Sequence, residues 1–190
     1  MSETGKNDTN IISLLAWTNF LSSFNPAFFC TFTALFVSHH SLMFDTLAMN
    51  VLFTFALFAV PLIFTGIPEH YLTTRFSCRN VVTFSRFFEF FSSILAAIIS
   101  TCPFKNSVIL LFLPVLLQGI EYAMYRPALK GYAAEMVPRH LLSKASGTTE
   151  CGTFSGIAAG ATAAIWLSFL ENLFGGPEYL AGLFSAAIAL

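Results

Sequence analysis

The stretch Leu116–Gly160 reads LLQGIEYAMYRPALKGYAAEMVPRHLLSKASGTTECGTFSGIAAG and decides the fold of this chain. It begins with an apolar segment that carries polar residues on one face. A short connection with four cationic residues follows, and then a second apolar segment in which glycine recurs at every fourth position. Long apolar segments joined by a basic connection are typical of membrane-spanning helices. We therefore interpret the stretch as two transmembrane helices around which the other segments pack.

Composition places the whole chain in the same class. Of its 190 residues, 56% are hydrophobic and 10% are charged, and the mean hydropathy is +0.73. Soluble domains carry about 25% charged residues, so an all-α integral membrane protein is indicated. The net charge of −1 argues against a nucleic-acid partner. The four cysteines lack metal-ligand spacing, which favours small buried apolar residues over a metal site or a disulfide, and we expect no cofactor.

The apolar runs predict five full transmembrane helices and a truncated sixth. A polar segment, residues 1–10, precedes them and is predicted to be a disordered cytoplasmic tail, so that the transmembrane bundle takes residues 11–190. The predicted spans are Ile11–Val37, Thr46–Ile67, Val81–Cys102, Ser107–Met124 and Gly147–Phe169, and the short sixth run is Tyr179–Leu190.

Polar residues follow one face of two predicted spans, because residues three and four apart share a side of an α-helix. Lipid would penalise such faces, so they either line a substrate cavity or form hydrogen bonds between helices, and both interpretations stay open. Glu121 is either the carrier of a transported proton or a neutral acid bonded to Tyr or Gln. The two faces are Asn19, Ser22, Ser23, Pro26, Cys30 and Thr33 in the first span, and Gln118, Glu121, Tyr122 and Tyr125 in the fourth.

Two further patterns lie inside predicted spans. Arg86 and Glu89 are three residues apart in the third span, and this pair is either a functional site or a structural ion pair in which Arg86 extends towards water. Gly152, Gly156 and Gly160 form two overlapping GxxxG steps in the fifth span. Small residues four apart allow helix backbones to approach closely, so the glycines predict a packing seam.

The positions of Lys and Arg predict the orientation. The chain has nine of them. Eight lie in the amino-terminal tail, in the connection before span three together with the start of that span, or in the connection Tyr125–Lys144. Cytoplasmic connections carry an excess of Lys and Arg, so these segments and the amino terminus are predicted to be cytoplasmic.

Two large cytoplasmic connections, after spans two and four, resemble the amino-terminal half of a major facilitator superfamily transporter. The segment Leu72–Asn80, LTTRFSCRN, is similar to the superfamily's loop motif of the form G-x-L-a-D-r-x-g-r-r. Its glycine and aspartate positions are His70 and Thr74 here. The matching residues are Leu72, Arg75, Phe76 and Arg79.

A closer resemblance is to the lysophospholipid transporter-like branch, over roughly residues 15–165. Its first helix has a stretch like FLSSFNP, Phe20–Pro26, although Pro26 stands where an acid is common. Its third helix begins like the Arg86 and Glu89 pair. Its fourth helix runs into a segment like Tyr125–Gly131. The most specific match is to E-x-x-P-x-x-x-L-x-K-A-x-G-x-x-E, at Glu135–Glu150.

The resemblance implies transport of lysophospholipids across a bacterial inner membrane, with membrane lipid, a small amphipathic substrate and a second six-helix half as partners. The alternative is a non-transporting remnant or a half-transporter subunit. The chain has no acyltransferase sequence and no nucleotide-binding glycine loop, so neither an enzyme nor an ATP-driven pump is expected. The substrate-cavity candidates are Asn19, Ser22, Ser23, Asn25, Arg86, Glu89, Gln118, Glu121 and Tyr122.

Overall fold

The computed structural model describes residues 3–39, 46–64, 76–101 and 110–174, and these ranges are almost wholly helical. The all-α class is therefore confirmed for the described residues. A single 3-10 turn, Arg139–Leu141, lies between the last two helices. The helices are α1 (Glu3–His39), α2 (Leu47–Phe64), α3 (Cys78–Thr101), α4 (Phe112–Met136) and α5 (Leu142–Phe174).

The start of α1 and the connection between α4 and α5 differ from the prediction. Helix α1 begins at Glu3, so residues 3–10, predicted to be a disordered tail, continue the helix. Helix α4 ends at Met136 and α5 begins at Leu142, so most of the connection predicted at Tyr125–Lys144 is helical. The prediction ended the fourth span where charged residues begin. Ala, Leu, Lys, Glu and Met are good helix formers, and they extend the helix beyond its apolar part.

Four helices are long and apolar enough to cross a membrane within the part of the chain that the structure describes. They are Thr9–Ser38, Leu47–Phe64, Cys78–Ile99 and Arg139–Leu170. The prediction was five full spans. Helix α4 is roughly 37 Å long at 1.5 Å per residue, but its polar and charged residues lower its hydropathy. The predicted sixth run, Tyr179–Leu190, lies outside the described residues.

Contacts between side chains set the directions of the helices. Ser22 contacts Arg86 and Asn25 contacts Glu89, so α1 and α3 run in the same direction. Helix α5 also runs with α1, because glycines farther along α5 meet carbonyls farther along α1. Helices α2 and α4 run the opposite way. As a result, the starts of α1, α3 and α5 and the ends of α2 and α4 lie at one end of the bundle, which we call the basic end.

Helix α1 is the inner helix of the bundle. Within its apolar stretch 67% of the residues are buried, against 17% in α2 and 22% in the last candidate span. The outer helices carry large exposed apolar side chains, among them Ile63, Phe64 and Phe154. A soluble protein seldom exposes contiguous apolar surface of this extent, whereas a lipid-facing helix does.

The cysteines differ in exposure. Cys30 is buried in an apolar cluster with Phe29, Ala96 and Val115, as a small apolar residue would be. Cys78 is half-buried and Cys151 is exposed. The expectation that the cysteines are small buried apolar residues therefore fits Cys30 but not Cys151, which lies on the outer surface of α5.

Candidate functional site

An arginine lies at the junction of α1, α3 and α4. The Arg86 Nη1 atom donates to Glu89 Oε2 at 2.5 Å, one helical turn along α3. A second guanidinium nitrogen donates to Ser22 Oγ on α1. The guanidinium carbon lies 4.1 Å from the centroid of the Tyr125 ring on α4. Asn25 Nδ2 donates to the other Glu89 oxygen at 2.8 Å. We call these five residues the Arg86 centre.

The Arg86 centre shows how the predicted ion pair is oriented. The Glu89 residue is 1% exposed, and both of its carboxylate oxygens accept hydrogen bonds. Arg86 bonds across to α1, so its guanidinium points into the bundle instead of extending towards water. Charged groups inside a membrane protein are stabilised by such pairing, because an unpaired charge is penalised heavily in a medium of low dielectric constant.

Helix α4 carries two further buried polar residues, Gln118 and Glu121. Gln118 and Glu121 lie one turn apart and are 1% and 2% exposed. Glu121 is close enough to Arg86 and Glu89 to interact with both electrostatically. Gln118 Nε2, Gln118 Oε1 and Glu121 Oε1 have no hydrogen-bond partner within the described part of the chain. Leaving a buried polar atom unpaired costs about 1–3 kcal/mol. We call Gln118 and Glu121 the α4 polar pair.

Tyr122 and Ser23 lie beside the α4 polar pair. Their hydroxyl oxygens are 3.5 Å apart, which joins the predicted polar faces of α1 and α4. The Tyr122 ring also packs against Phe58 of α2, with centroids 5.7 Å apart. The two faces therefore meet directly at this point.

Asn19 takes a different place from the other candidates. Its Nδ2 atom donates to the Thr149 carbonyl at 2.7 Å and to Thr153 Oγ1 at 2.5 Å, both on α5. Asn19 is also among the residues that line a cavity of about 170 Å³ between α1, α4 and α5. Asn19 therefore bonds to α5, whereas Ser22 bonds to Arg86 and Ser23 lies beside Tyr122, because a helical face is wide enough to meet two neighbours.

A second charged group borders that cavity near the basic end. Arg126 Nη1 lies 3.3 Å from Glu150 Oε2, and Lys130 Nζ lies 3.3 Å from Glu150 Oε1. The three side chains are 26%, 69% and 33% exposed, respectively. We call them the Glu150 cluster. The sequence pattern places Arg126 and Lys130 in a loop and therefore does not predict this cluster.

The three glycines of α5 lie directly against the backbone of α1. A Cβ atom added to Gly152 would lie 2.6 Å from the carbonyl oxygen of Ala16. Cβ atoms on Gly156 and Gly160 would overlap the carbonyl oxygens of Phe20 and Phe24. No side chain fits in this space, so the close approach of the two helices depends on glycine at these positions.

Two packing features were missed by the sequence analysis. Gly119 of α4 allows an approach to α2, since a Cβ atom there would lie 2.5 Å from the Phe58 carbonyl oxygen. The second is a row of phenylalanines along α1, spaced four apart, whose neighbouring ring centroids are 6.0 to 6.2 Å apart. Phenylalanine at every fourth position was the sequence signal that could have predicted this row. The row is Phe20, Phe24, Phe28, Phe32 and Phe36.

Two of the four residues that match the resembled loop motif lie outside the described part of the chain. Leu72 and Arg75 lie in the range 65–75, of which nothing is described. Arg79 lies in the first turn of α3 and is exposed at the basic end. Comparisons of the whole chain with protein-family models, with curated proteins and with solved structures find no match.

Proposed function

We propose that the chain is the amino-terminal part of a secondary transporter of the major facilitator superfamily, and that it moves lysophospholipids across a bacterial inner membrane. The observation that carries the proposal is the Arg86 centre, together with the unpaired atoms of the α4 polar pair. Ionisable groups inside a membrane protein are expensive and commonly mark a substrate or ion pathway. Most buried polar atoms in proteins have a hydrogen-bond partner, so the unpaired atoms of Gln118 and Glu121 leave room for a ligand to contact them.

The chemistry of the centre suits an amphipathic molecule. A guanidinium binds phosphate well, because its planar donors match phosphate oxygens in geometry and charge. Ser22 and the Gln118 amide add neutral donors and acceptors beside it. Phe58 of α2, which packs on Tyr122, is an apolar side chain beside these polar groups and would contact an acyl chain. Membrane lipid and a small amphipathic substrate are therefore the proposed partners.

We infer that α4 is a fifth crossing. It packs between α2 and α3 and runs opposite to α1 and α3, and its polar residues are turned towards other helices. The amino terminus is proposed to be cytoplasmic, because the basic end carries exposed Arg79, Lys130, Arg139 and Lys144. A second six-helix half is the proposed protein partner, since transporters of this superfamily hold substrate between two halves.

The orientation has a direct test. In a chain whose four native cysteines are replaced by serine, Ser143→Cys places a thiol at an exposed position of the basic end. We expect a membrane-impermeant maleimide to label it only after the cells are opened. Labelling of intact cells would reverse the proposed orientation.

The transport proposal is tested with the chain reconstituted into vesicles and a lysophospholipid that carries a fluorescent acyl chain. We expect the wild-type chain to bind this lipid, measured by native mass spectrometry. Movement of the lipid between leaflets, measured by quenching from outside, shows whether the chain acts without a second half. Arg86→Gln should abolish binding, whereas Arg139→Gln, which removes an exposed arginine outside the centre, should not change it.

The outcomes separate the competing hypotheses. Binding without movement between leaflets would favour the alternative, a non-transporting half-transporter subunit. Neither binding nor movement by the wild-type chain would contradict the proposed function. Equal behaviour of Arg86→Gln and Arg139→Gln would keep the lipid as a ligand but remove the Arg86 centre as its site.

A further inference from the structure

We propose that the α4 polar pair, Gln118 and Glu121, is a binding site for one monovalent positive charge, which it takes up in exchange for a proton. This inference rests on the proposed function, because it adds to the same site a cation that is coupled to transport. It does not require that the transported molecule be a lysophospholipid.

The charges of Arg86, Glu89 and Glu121 do not cancel when all three groups are ionised. Arg86 is bonded to Glu89, and this pair is neutral. Glu121 is a second carboxylate within electrostatic reach of both, so an ionised Glu121 leaves one negative charge unbalanced. Arg126 does not supply the balance, because its Nη1 atom is directed to Glu150. A buried unpaired carboxylate is so costly that it either holds a proton or attracts a cation.

The second argument is the set of unpaired atoms. Gln118 Oε1 and Glu121 Oε1 are both acceptors, both are buried, and neither has a partner within the described residues. They lie one turn apart on the same face of α4, so a single small group is able to contact both. A sodium ion that has lost part of its hydration shell would be coordinated by the neutral Gln118 oxygen and the charged Glu121 oxygen. An ammonium group would donate its N–H groups to the same two atoms.

The groups that face Glu121 from the neighbouring helices define the exchange. Helix α3 supplies the charged Arg86 and Glu89. Helix α1 supplies only uncharged side chains: Ser22 and Asn25 bond to that pair, and Ser23 lies beside Tyr122. Helix α2 supplies the apolar Phe58, which packs on Tyr122. Helix α4 itself adds the phenol groups of Tyr122 and Tyr125. Glu121 is therefore the group whose charge is free to change without breaking the Arg86–Glu89 pair.

The exchange conserves charge. With the site empty, the Glu121 carboxyl holds a proton and the four-group set of Arg86, Glu89, Gln118 and Glu121 is neutral. When a cation binds to the carboxylate, the O–H bond breaks and the proton leaves to solvent. One positive charge enters and one departs, so the net charge of the buried region stays at zero. No other bond is formed or broken, and no oxidant or reductant is needed.

The test measures proton release from the full chain, purified in a neutral detergent and held in weak buffer. Sodium chloride, dodecylammonium chloride and choline chloride are added separately. Choline is the control for ionic strength, because its quaternary nitrogen has no N–H donor. We expect sodium or dodecylammonium to release about one proton per chain, and choline to release none. Release by sodium identifies an inorganic coupling ion, whereas release by dodecylammonium alone identifies an ammonium headgroup.

Three variants make the assignment specific. Glu121→Gln should release no proton with any salt, and Gln118→Leu should weaken the apparent cation affinity by roughly tenfold. Glu135→Gln, on an exposed carboxylate of the same helix, should release protons as the wild type does. Size-exclusion chromatography shows which variants fold, and Gln118→Leu keeps the test decisive if Glu121→Gln does not.

Two results would contradict the inference. The inference is wrong if the wild-type chain releases no proton with either cation, or if a folded Glu121→Gln or Gln118→Leu variant releases protons as the wild type does. This measurement uses no lysophospholipid. A chain that exchanges cations but does not bind that lipid would support this inference and contradict the proposed function. A chain that binds the lipid but releases no proton would contradict this inference and leave the proposed function supported.

Discussion

The side of α1 that faces α5 and the side that faces α3 and α4 are held together by different groups. Towards α5, the carbonyls of Ala16, Phe20 and Phe24 lie against glycine, and phenylalanine rings pack on Ala164. Towards α3 and α4, Ser22 and Asn25 reach the long side chains of Arg86 and Glu89. The first side is a contact between backbones, and the second is a contact between polar side-chain ends.

This difference leads to different expectations for substitutions on the two sides of α1. At Gly152, Gly156 and Gly160, the α5 side of α1 depends on the absence of side chains, which is what a closely packed helix pair needs. The α3 and α4 side leaves buried polar atoms of Gln118 and Glu121 unpaired. Substitutions on the first side should therefore affect folding alone, whereas substitutions on the second should affect both stability and ligand binding.

The largest effect is expected from breaking the charged pair of the second side. Arg86→Leu should lower the free energy of unfolding by about 3–5 kcal/mol, because it leaves the buried Glu89 carboxylate without its partner. Glu89→Leu should cost less, because the Arg86 side chain is 26% exposed. The double variant should be less destabilised than the sum of the two. Unfolding in detergent with a chemical denaturant gives the three values. A strictly additive cycle would show that Arg86 and Glu89 do not interact.

A smaller but still large effect is expected on the glycine side. Gly156→Leu should lower the free energy of unfolding by about 1–3 kcal/mol or more, because its side chain overlaps the Phe20 carbonyl and holds the helices apart. Gly147→Leu is the matched control on the same helix, since nothing lies within 4 Å of a Cβ atom there. Folded yield and thermal stability are the measurements. Equal values for the two variants would contradict the seam.

Helical periodicity explains how much of this comparison the sequence could predict. The period of 3.6 residues fixed the polar faces of α1 and α4 and the glycine row of α5, because it needs only local geometry. It could not assign a partner to each position. Asn19 and Ser22 are three residues apart and differ by roughly 60° around the helix, which is enough for one to meet α5 and the other α3.

Hydropathy predicts helix ends less well than periodicity predicts helix faces where charged residues lie inside a helix. Arg126 and Lys130 lowered the apolar signal, so the fourth span was ended early and the Glu150 cluster was missed. The phenylalanine row of α1 was hidden for the opposite reason: Phe occupies 23 positions, and a regular spacing does not stand out in a span that is apolar almost throughout. Unpaired atoms such as Glu121 Oε1 depend on tertiary contacts and have no sequence signal.

Asn19 sharpens the comparison because it is a polar residue on the packing side. Asn19→Ala should lower the free energy of unfolding by about 1 kcal/mol, since its bonds to Thr149 and Thr153 join α1 to α5 and hydrogen bonds between membrane helices contribute modestly. Asn10→Ala, at an exposed position of α1, is the control. Cation-induced proton release should be unchanged in Asn19→Ala. A loss of release in a folded Asn19→Ala chain would place Asn19 in the functional site.

The smallest effect is expected from the Glu150 cluster, which is charged like the Arg86 centre but more exposed. Glu150→Gln should lower the free energy of unfolding by about 0.2–1 kcal/mol, because water screens a partly exposed ion pair. Raising the salt concentration from roughly 0.1 M to 1 M shortens the Debye length from about 10 Å to 3 Å, so it should remove most of this difference. The effect of Glu89→Gln should persist in high salt, since Glu89 is buried. Denaturant unfolding of both variants at the two salt concentrations decides the matter. If salt weakened both effects equally, the Arg86 centre would be as accessible to ions as the Glu150 cluster, and the contrast between a buried and an exposed charge group would fail.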